Sequence, residues 1–308
     1  QIVHLTDRMD YLSCHMNNEA VCLAVEKGLE LEVSDRVKVI RTIMSELTRL
    51  SSHQLWWGVM GMDLGAITSF LYGFRDREMI TDIFEETCGA RLTMNYNIPG
   101  GVMFDIPANF QTKVKEFITH FRQKLPEYDQ LMTNNIIFRN RTEGIGILTK
   151  EDAISYGVTG PSGRASGWSN DIRKSHPYSA YDRVDFKEII YTEGDSFARY
   201  KARIEEMWES MNIIDQLIDK IPEGNYQEKT RAVIKLPKTE IYQSVETARG
   251  ELGIYINSDG KKNPYRVKFR SPGLSNLNAL NTMAKGGKIA DLVTIMSTID
   301  LVIPDIDR

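Results

Sequence analysis

Arg49, His53, Trp56, Met60 and Asp63 follow one another at intervals of four, three, four and three. At about 100° per residue, this spacing holds the five side chains within roughly 80° of one helical face, along about 21 Å of axis. One stripe then runs from a cation and an imidazole, past an aromatic ring and a thioether, to a carboxylate. Such groups can carry charge and move protons at either end of an apolar middle. The same pattern also fits a helix whose middle is core and whose ends reach solvent or structural ion pairs. Other chemistry-bearing patterns fail on spacing. Gly144-Ile145-Gly146 lacks the third glycine of a dinucleotide fingerprint, and Gly160 to Gly167 lacks the Lys-Ser/Thr ending of a phosphate-binding loop. His4, His15, His53, His120 and His176 do not form a zinc-binding pattern, and the Cys14-His15 neighbours lack a third group to orient them as a nucleophile pair. The chain itself is expected to bind no metal.

Composition sets the outer bounds. With 308 residues, 42% apolar and 26% charged, the chain can bury one large core or two smaller ones. A net charge of −4, with lysines and arginines scattered among acids, gives no electrostatic reason to expect nucleic acid. Cys14, Cys22 and Cys88 are odd in number, and the first two stand about 12 Å apart along a helical pattern, too far to bridge. Reduced thiols on the cytoplasmic side are expected. The sequence opens on Gln1 without a methionine or a signal peptide, from which a truncated N-terminus is expected.

The elements that must position these residues can be read in part. Apolar spacing predicts three helices from Asn17 to Cys88, with Ser34-Asp35 capping the second. Within them, Leu55 to Phe74 is a 20-residue run with one charge, long enough on paper to span a bilayer. Asp63 and the glycines at 58, 61, 65 and 73 argue against such a span; the glycines at 58, 61 and 65 argue instead for close backbone approach, with a break near Gly65 between two buried helices. A loop is expected from Thr93 to Ile106, a helix from Val114 to Met132, and a long helix from about Ser196 to Ile221. Alternating Leu252, Ile254, Ile256 and Tyr265, Val267, Phe269 predict a hairpin, followed by short helices at 277–283 and 290–298. The expected organisation is one domain, with a helical bundle over 1–135, mixed loops and a long helix over 136–232, and the hairpin and C-terminal segment over 233–308.

A series of motifs runs in order along almost the whole chain. Among them are Asp7-Arg8 with Asp10-Tyr11, Asn18-Glu19-Ala20, Glu46-Leu47-Thr48-Arg49-Leu50, Asp63-Leu64-Gly65-Ala66, Pro99-Gly100-Gly101 and Arg139-Asn140-Arg141-Thr142. Gly163-Arg164-Ala165-Ser166-Gly167, Asp171-Ile172-Arg173-Lys174, Gly250-Glu251, Pro264-Tyr265-Arg266 and the terminal Asp307-Arg308 continue it. Together they resemble the family of the 49 kDa (D-type, NdhH-type) subunit of proton-pumping NADH:quinone oxidoreductase, respiratory complex I. That family is a branch of the nickel-iron hydrogenase large-subunit superfamily. Where a hydrogenase would carry two Cys-x-x-Cys pairs, this chain has Asp10 with Ser13 and Val302 with Asp305. Such a set cannot replace four thiolates, so the metal cavity is expected to be empty.

The resemblance implies a mainly α fold, a hydrogenase-type helical bundle with a small C-terminal antiparallel β hairpin or sheet. It implies oxidoreductase activity only within a complex, with the B, C, I and H subunits of complex I as partners and a quinone as substrate. The location implied is peripheral, on the cytoplasmic side of the bacterial inner membrane. No cofactor is bound by this chain, and a 4Fe-4S cluster lies in the adjacent B-type polypeptide. Tyr11 would meet the quinone headgroup, Asp63 would respond in charge or protonation, and Val59, Met60 and Val302 would line the cavity. Arg49, His53, Arg91 and Thr93 would lie near the partner's cluster, and a missing N-terminal β-hairpin would carry a headgroup histidine. Thr93 stands where many members have histidine, and Ile98 where they have arginine. Losing a protonatable donor there should lower the cluster potential and suit a low-potential acceptor such as menaquinone. A membrane-bound hydrogenase relative and a structural scaffold between the two arms remain the alternatives.

Overall fold

The computed structural model describes residues 2–231 and 233–307; Gln1, Ala232 and Arg308, the last residue of the terminal motif, lie outside them. After α1 (Ile2–Thr6), the expected three-helix run forms as α2 (Cys14–Leu29), α3 (Asp35–Asp63) and α4 (Ile67–Cys88). Ser34 caps α3, its hydroxyl accepting from the Val37 amide at 3.2 Å. The glycines explain why α3 and α4 can lie backbone to backbone. A Cβ on Gly73 would stand 2.6 Å from the Gln54 carbonyl oxygen, and one on Gly61 would overlap Ser69. At Gly65 the expected break forms, its φ of +91° making the turn between the helices, but the close approach expected there does not, since nothing lies within 4 Å of a Cβ. Among the described residues no helix is long and apolar enough to cross a membrane, because this turn divides the apolar run from Leu55 to Phe74.

β1 (Asn97–Ile98) and β2 (Gly101–Val102) pair around Pro99-Gly100, a small hairpin where only a loop is expected. α5 (Phe110–Tyr128) runs into a π-helical turn at Asp129–Thr133. Short helices α6 (Ile136–Thr142), α7 (Lys150–Tyr156), α8 (Gly160–Arg164) and α9 (Ile172–Ser175) precede the long α10 (Ser196–Ile218). The expected hairpin is β4 (Gly250–Asp259) with β5 (Arg266–Arg270), and β3 (Lys238–Thr247) joins β4 on its other edge. Thr247 pairs with Gly250, so Ala248 and Arg249 form the tip of that antiparallel pair. α11 (Pro272–Asn278), α12 (Leu280–Ala284), α13 (Ile289–Ile299) and α14 (Ile303–Asp307) close the described chain, the expected single helix at 277–283 being two. The fold is thus mainly α with a small antiparallel sheet near its C-terminal end. One core cluster draws on residues from Met9 to Ile256, and a smaller one joins Leu148, Ala153, Val158 and Met283 to Ile295 and Ile299 of α13.

Candidate functional site

The last two turns of α3 meet α13 at a fixed distance. Trp56 donates its indole N–H to the Ser297 carbonyl at 2.7 Å, and Ser297 Oγ donates to Asp63 Oδ2 at 2.9 Å. Between them opens a cavity of about 400 Å³. Leu55, Trp56, Val59 and Asp63 line it from α3, and Val293, Met296, Ser297, Asp300, Leu301 and Val302 line it from α13 and the segment beyond. Tyr11 and Leu12 close one side from the turn ahead of α2, and Arg249 reaches in from the tip of β3–β4. The lining is largely apolar with a few polar groups, as a flat hydrophobic ligand with polar oxygens requires.

The turn that carries Tyr11 is folded around Asp10. The Asp10 carboxylate accepts from the Leu12 amide at 3.1 Å, and its carbonyl accepts from Asn17 Nδ2 at 2.8 Å. This leaves Tyr11 itself 39% exposed, so its phenol is available to a ligand. At the floor, Arg249 Nη1 donates to both oxygens of Asp10 at 3.1 and 2.9 Å and to Ser52 Oγ at 3.1 Å. Its Nε and Nη2 donate to the carbonyl and Oδ1 of Asp300, each at 3.0 Å. Close by, Asp305 Oδ2 accepts from Ser271 Oγ at 2.9 Å and the Gly273 amide at 2.8 Å. Burial, with the Asp10 charge adding to it, pushes the Asp305 carboxyl up to about 6 against the pull of these hydrogen bonds and of Arg249. Asp10, one of the residues standing in for the thiolates, is thus bonded to a guanidinium. Among the described residues no group of three or more His, Cys, Asp or Glu is arranged to hold a metal ion.

Four of the five expected headgroup residues, Tyr11, Val59, Asp63 and Val302, share the cavity wall. Met60 does not: it is fully buried in the main core, because the helix turns it away from the opening that Val59 and Asp63 border. Arg49 and His53 likewise face inward. Arg49 donates to the carbonyls of Thr247 and Glu246 at 2.8 and 2.7 Å and pairs with Glu46 at 3.2 Å. His53 Nε2 lies 3.0 Å from Glu206. Burial holds the imidazole below its usual range despite Glu206, whereas Glu206 stays well below the carboxylate range because Arg164 and His53 outweigh its own burial. The neutral ring must then donate through Nε2, leaving Nδ1 without a partner among the described residues. Arg91 sits half-exposed among Glu78, Asp82 and Glu85 at the end of α4, with Thr93 two residues on. Cys14, Cys22 and Cys88 are all buried, and burial drives the His15 imidazole, 3.6 Å from Cys88 Sγ, down to about 3. A buried neutral histidine beside an un-ionised thiol is packing, not a nucleophile pair.

Sequence reasoning missed Arg249, Asp300, Leu55 and Met296. Only Arg249 left a trace, a lone arginine directly before the Gly250-Glu251 motif between two alternating stretches.

Comparison with known proteins places these features in a family. The model for the 49 kDa subunit of respiratory-chain NADH dehydrogenase matches residues 63–235 and 229–308. The NADH-quinone oxidoreductase C/D subunit of Bacteroides fragilis is 56% identical over all 308 residues, and the corresponding protein of Bacteroides thetaiotaomicron is also 56% identical. The chain spans 58% of the length of each of these relatives. The NADH-quinone oxidoreductase D subunit of Bacillus cereus is 46% identical over 308 residues, which cover 84% of that protein.

Proposed function

Since the chain belongs to the 49 kDa subunit family of respiratory-chain NADH dehydrogenase, we propose that its cavity is one half of a quinone-reduction site in a proton-pumping NADH:quinone oxidoreductase. The observation that carries this reading is the convergence of Tyr11, Val59, Asp63 and Val302 on a single largely apolar cavity. In this reading the B, C, I and H subunits are neighbours, with the assembly on the cytoplasmic face of the bacterial inner membrane. The 4Fe-4S cluster of the B-type neighbour supplies the electrons. Reduction of a quinone to a quinol takes two electrons and two protons, and negative charge builds on a ring oxygen as the electrons arrive. The Tyr11 phenol donates a hydrogen bond to that oxygen, stabilising the charge and passing on a proton. Trp56, Val59 and Val302 hold the ring in an apolar slot. Asp63, exposed at the rim and hydrogen-bonded to Ser297, shifts its charge or protonation in response. Thr93 and Ile98, in place of a histidine and an arginine, favour a low-potential quinone such as menaquinone, and a normal pH-dependent midpoint of the cluster would refute that preference.

The test is Tyr11→Phe in the full-length protein in membranes, with NADH:ferricyanide activity and a native gel as controls. Loss of a positioned donor predicts a fall of about 10²-fold in quinone reduction with both controls intact. Unchanged turnover makes the tyrosine a packing residue. Photolabelling with a quinone analogue separates this reading from a scaffold role, since a scaffold takes no label near Tyr11, Asp63 or Val302. A hydrogenase-type reading finds no supporting donor set, because Asp10, Ser13, Val302 and Asp305 stand where thiolates are needed.

A further inference from the structure

We propose that Arg249 is the positioning residue of this cavity, a single guanidinium that ties together the three segments forming its walls. The inference rests on the quinone-site reading above and adds to it a residue with no expected role there. One arm of the fork holds Asp10, next to Tyr11, and reaches Ser52 on α3 one turn before Trp56. The other edge holds Asp300 by both its carbonyl and its side chain, two residues before Val302. The residues on either side of the ring slot are thereby fixed relative to one another through one planar group.

The guanidinium is itself held in place by backbone. A Cβ on Gly160 would lie 2.5 Å from the Arg249 carbonyl oxygen, and one on Gly250 would lie 2.8 Å from the Gly160 amide nitrogen, so the hairpin tip rests directly on the start of α8. Asn276 Nδ2 donates to the Arg249 carbonyl at 3.2 Å, and the Arg249 amide donates to Thr247 Oγ1 at 3.3 Å. The side chain is fully buried and faces two carboxylates, so its charge is already matched and it acts by geometry. Lysine would keep the charge but lose the fork, since one ammonium cannot satisfy Asp10, Ser52 and both acceptors of Asp300.

The experiment is a double-mutant cycle of Arg249→Lys and Tyr11→Phe in the assembled complex, reading kcat and KM for quinone. Because misplacement by about 1 Å can cost on the order of 10²-fold, Arg249→Lys alone should lower quinone reduction by at least about 30-fold with NADH:ferricyanide activity unchanged. If it acts through the placement of Tyr11, it should cost no more than about threefold in the Tyr11→Phe background, whereas a merely structural role gives equal losses in both. Equal losses, or a single mutant within about twofold of the parent in kcat and KM, overturn the proposal. Should Arg249→Lys fail to assemble, Ser52→Ala removes only the α3 arm; a loss of about threefold confined to the Tyr11 background supports the proposal, and the same loss in both overturns it. If Tyr11→Phe itself is silent, the headgroup reading fails and the quinone KM of Arg249→Lys decides alone: a rise of about tenfold or more upholds the clamp and an unchanged value removes it.

Discussion

Around Glu46, Arg49 and His53 the charges near α3 are paired and shut in, whereas in the group of Asp10, Asp300, Asp305 and Arg249 two members, Asp300 and Arg249, line a cavity. In the first cluster Arg164 pairs with Glu206 and, at 2.7 Å, with Glu246, while Arg173 pairs with Asp171 at 2.6 Å and Glu46 at 3.2 Å. Burial alone would raise all these acids, but Arg49 and Arg173 hold Glu46 at about 2, and Arg173 and Arg164 hold Asp171 at about 2. Four acids face three arginines there, and burial lifts the remaining acid, Glu246, to about 7 despite Arg164, so it takes the proton that balances the set. In the second group the acid raised by burial is Asp305, at about 6, while Asp300 and Arg249 face a space large enough for a ligand. Charge sealed among its partners maintains a structure, whereas charge that lines a cavity, as at Asp300 and Arg249, can meet what enters.

The sharpest way to break this contrast is Arg164→Met. Removing it leaves Glu206 and Glu246 without their main cation, at a cost of about 3–5 kcal/mol. A large drop in the thermal midpoint of the complex, or loss of assembly on a native gel, is the expected result; normal stability would mean that the sealed cluster is not structural. Asp305→Asn should act in the opposite direction and only at higher pH. The native carboxyl keeps its proton up to about 6, whereas the unfolded one loses it near 3.8. Stability from this group is therefore complete below about pH 4 and is lost as pH rises through about 6, a cost on the order of 1–3 kcal/mol by pH 7. The variant should melt higher than the parent at pH 7–8 and no higher at pH 4; a pH-independent difference would remove the strain assigned to this carboxylate. The smallest effect should come from Asp63→Asn. This exposed carboxylate has one hydrogen bond to Ser297, so loss of about 1 kcal/mol or less of stability is expected, together with a several-fold fall in quinone turnover. An unchanged turnover would leave Asp63 as rim surface.

Much of this contrast was hidden in a one-dimensional stripe. Spacing correctly put Arg49, His53, Trp56, Met60 and Asp63 on α3, but an 80° sector is wide enough to border two different environments on a helix with neighbours on several sides. α10 and β3 cover the end with Arg49 and His53, α13 leaves a gap over Val59 and Asp63, and neither fact is periodic in sequence. The α2, α3 and α4 boundaries were legible because Ser34 and Gly65 mark them chemically. β3 was not, because only Ile241 and Val245 to Thr247 along Lys238–Thr247 are buried and its outer half is polar. Missing β3 meant missing the tip it shares with β4, and with it Arg249, whose neighbours at Asp10 and Asp300 are more than fifty residues away in either direction.

Asp300 follows α13 with φ +62° and ψ +62°, a left-handed conformation that costs a residue other than glycine about 1–3 kcal/mol. Glycine at this position would adopt the same angles freely and would give up the carboxylate that meets Arg249. Taking that carboxylate from the buried Arg249 costs about 3–5 kcal/mol, more than the backbone strain it would relieve, so Asp300→Gly should lose heat resistance and respiration together. Residue 300 keeps a strained backbone because the charge it carries is worth more than the strain.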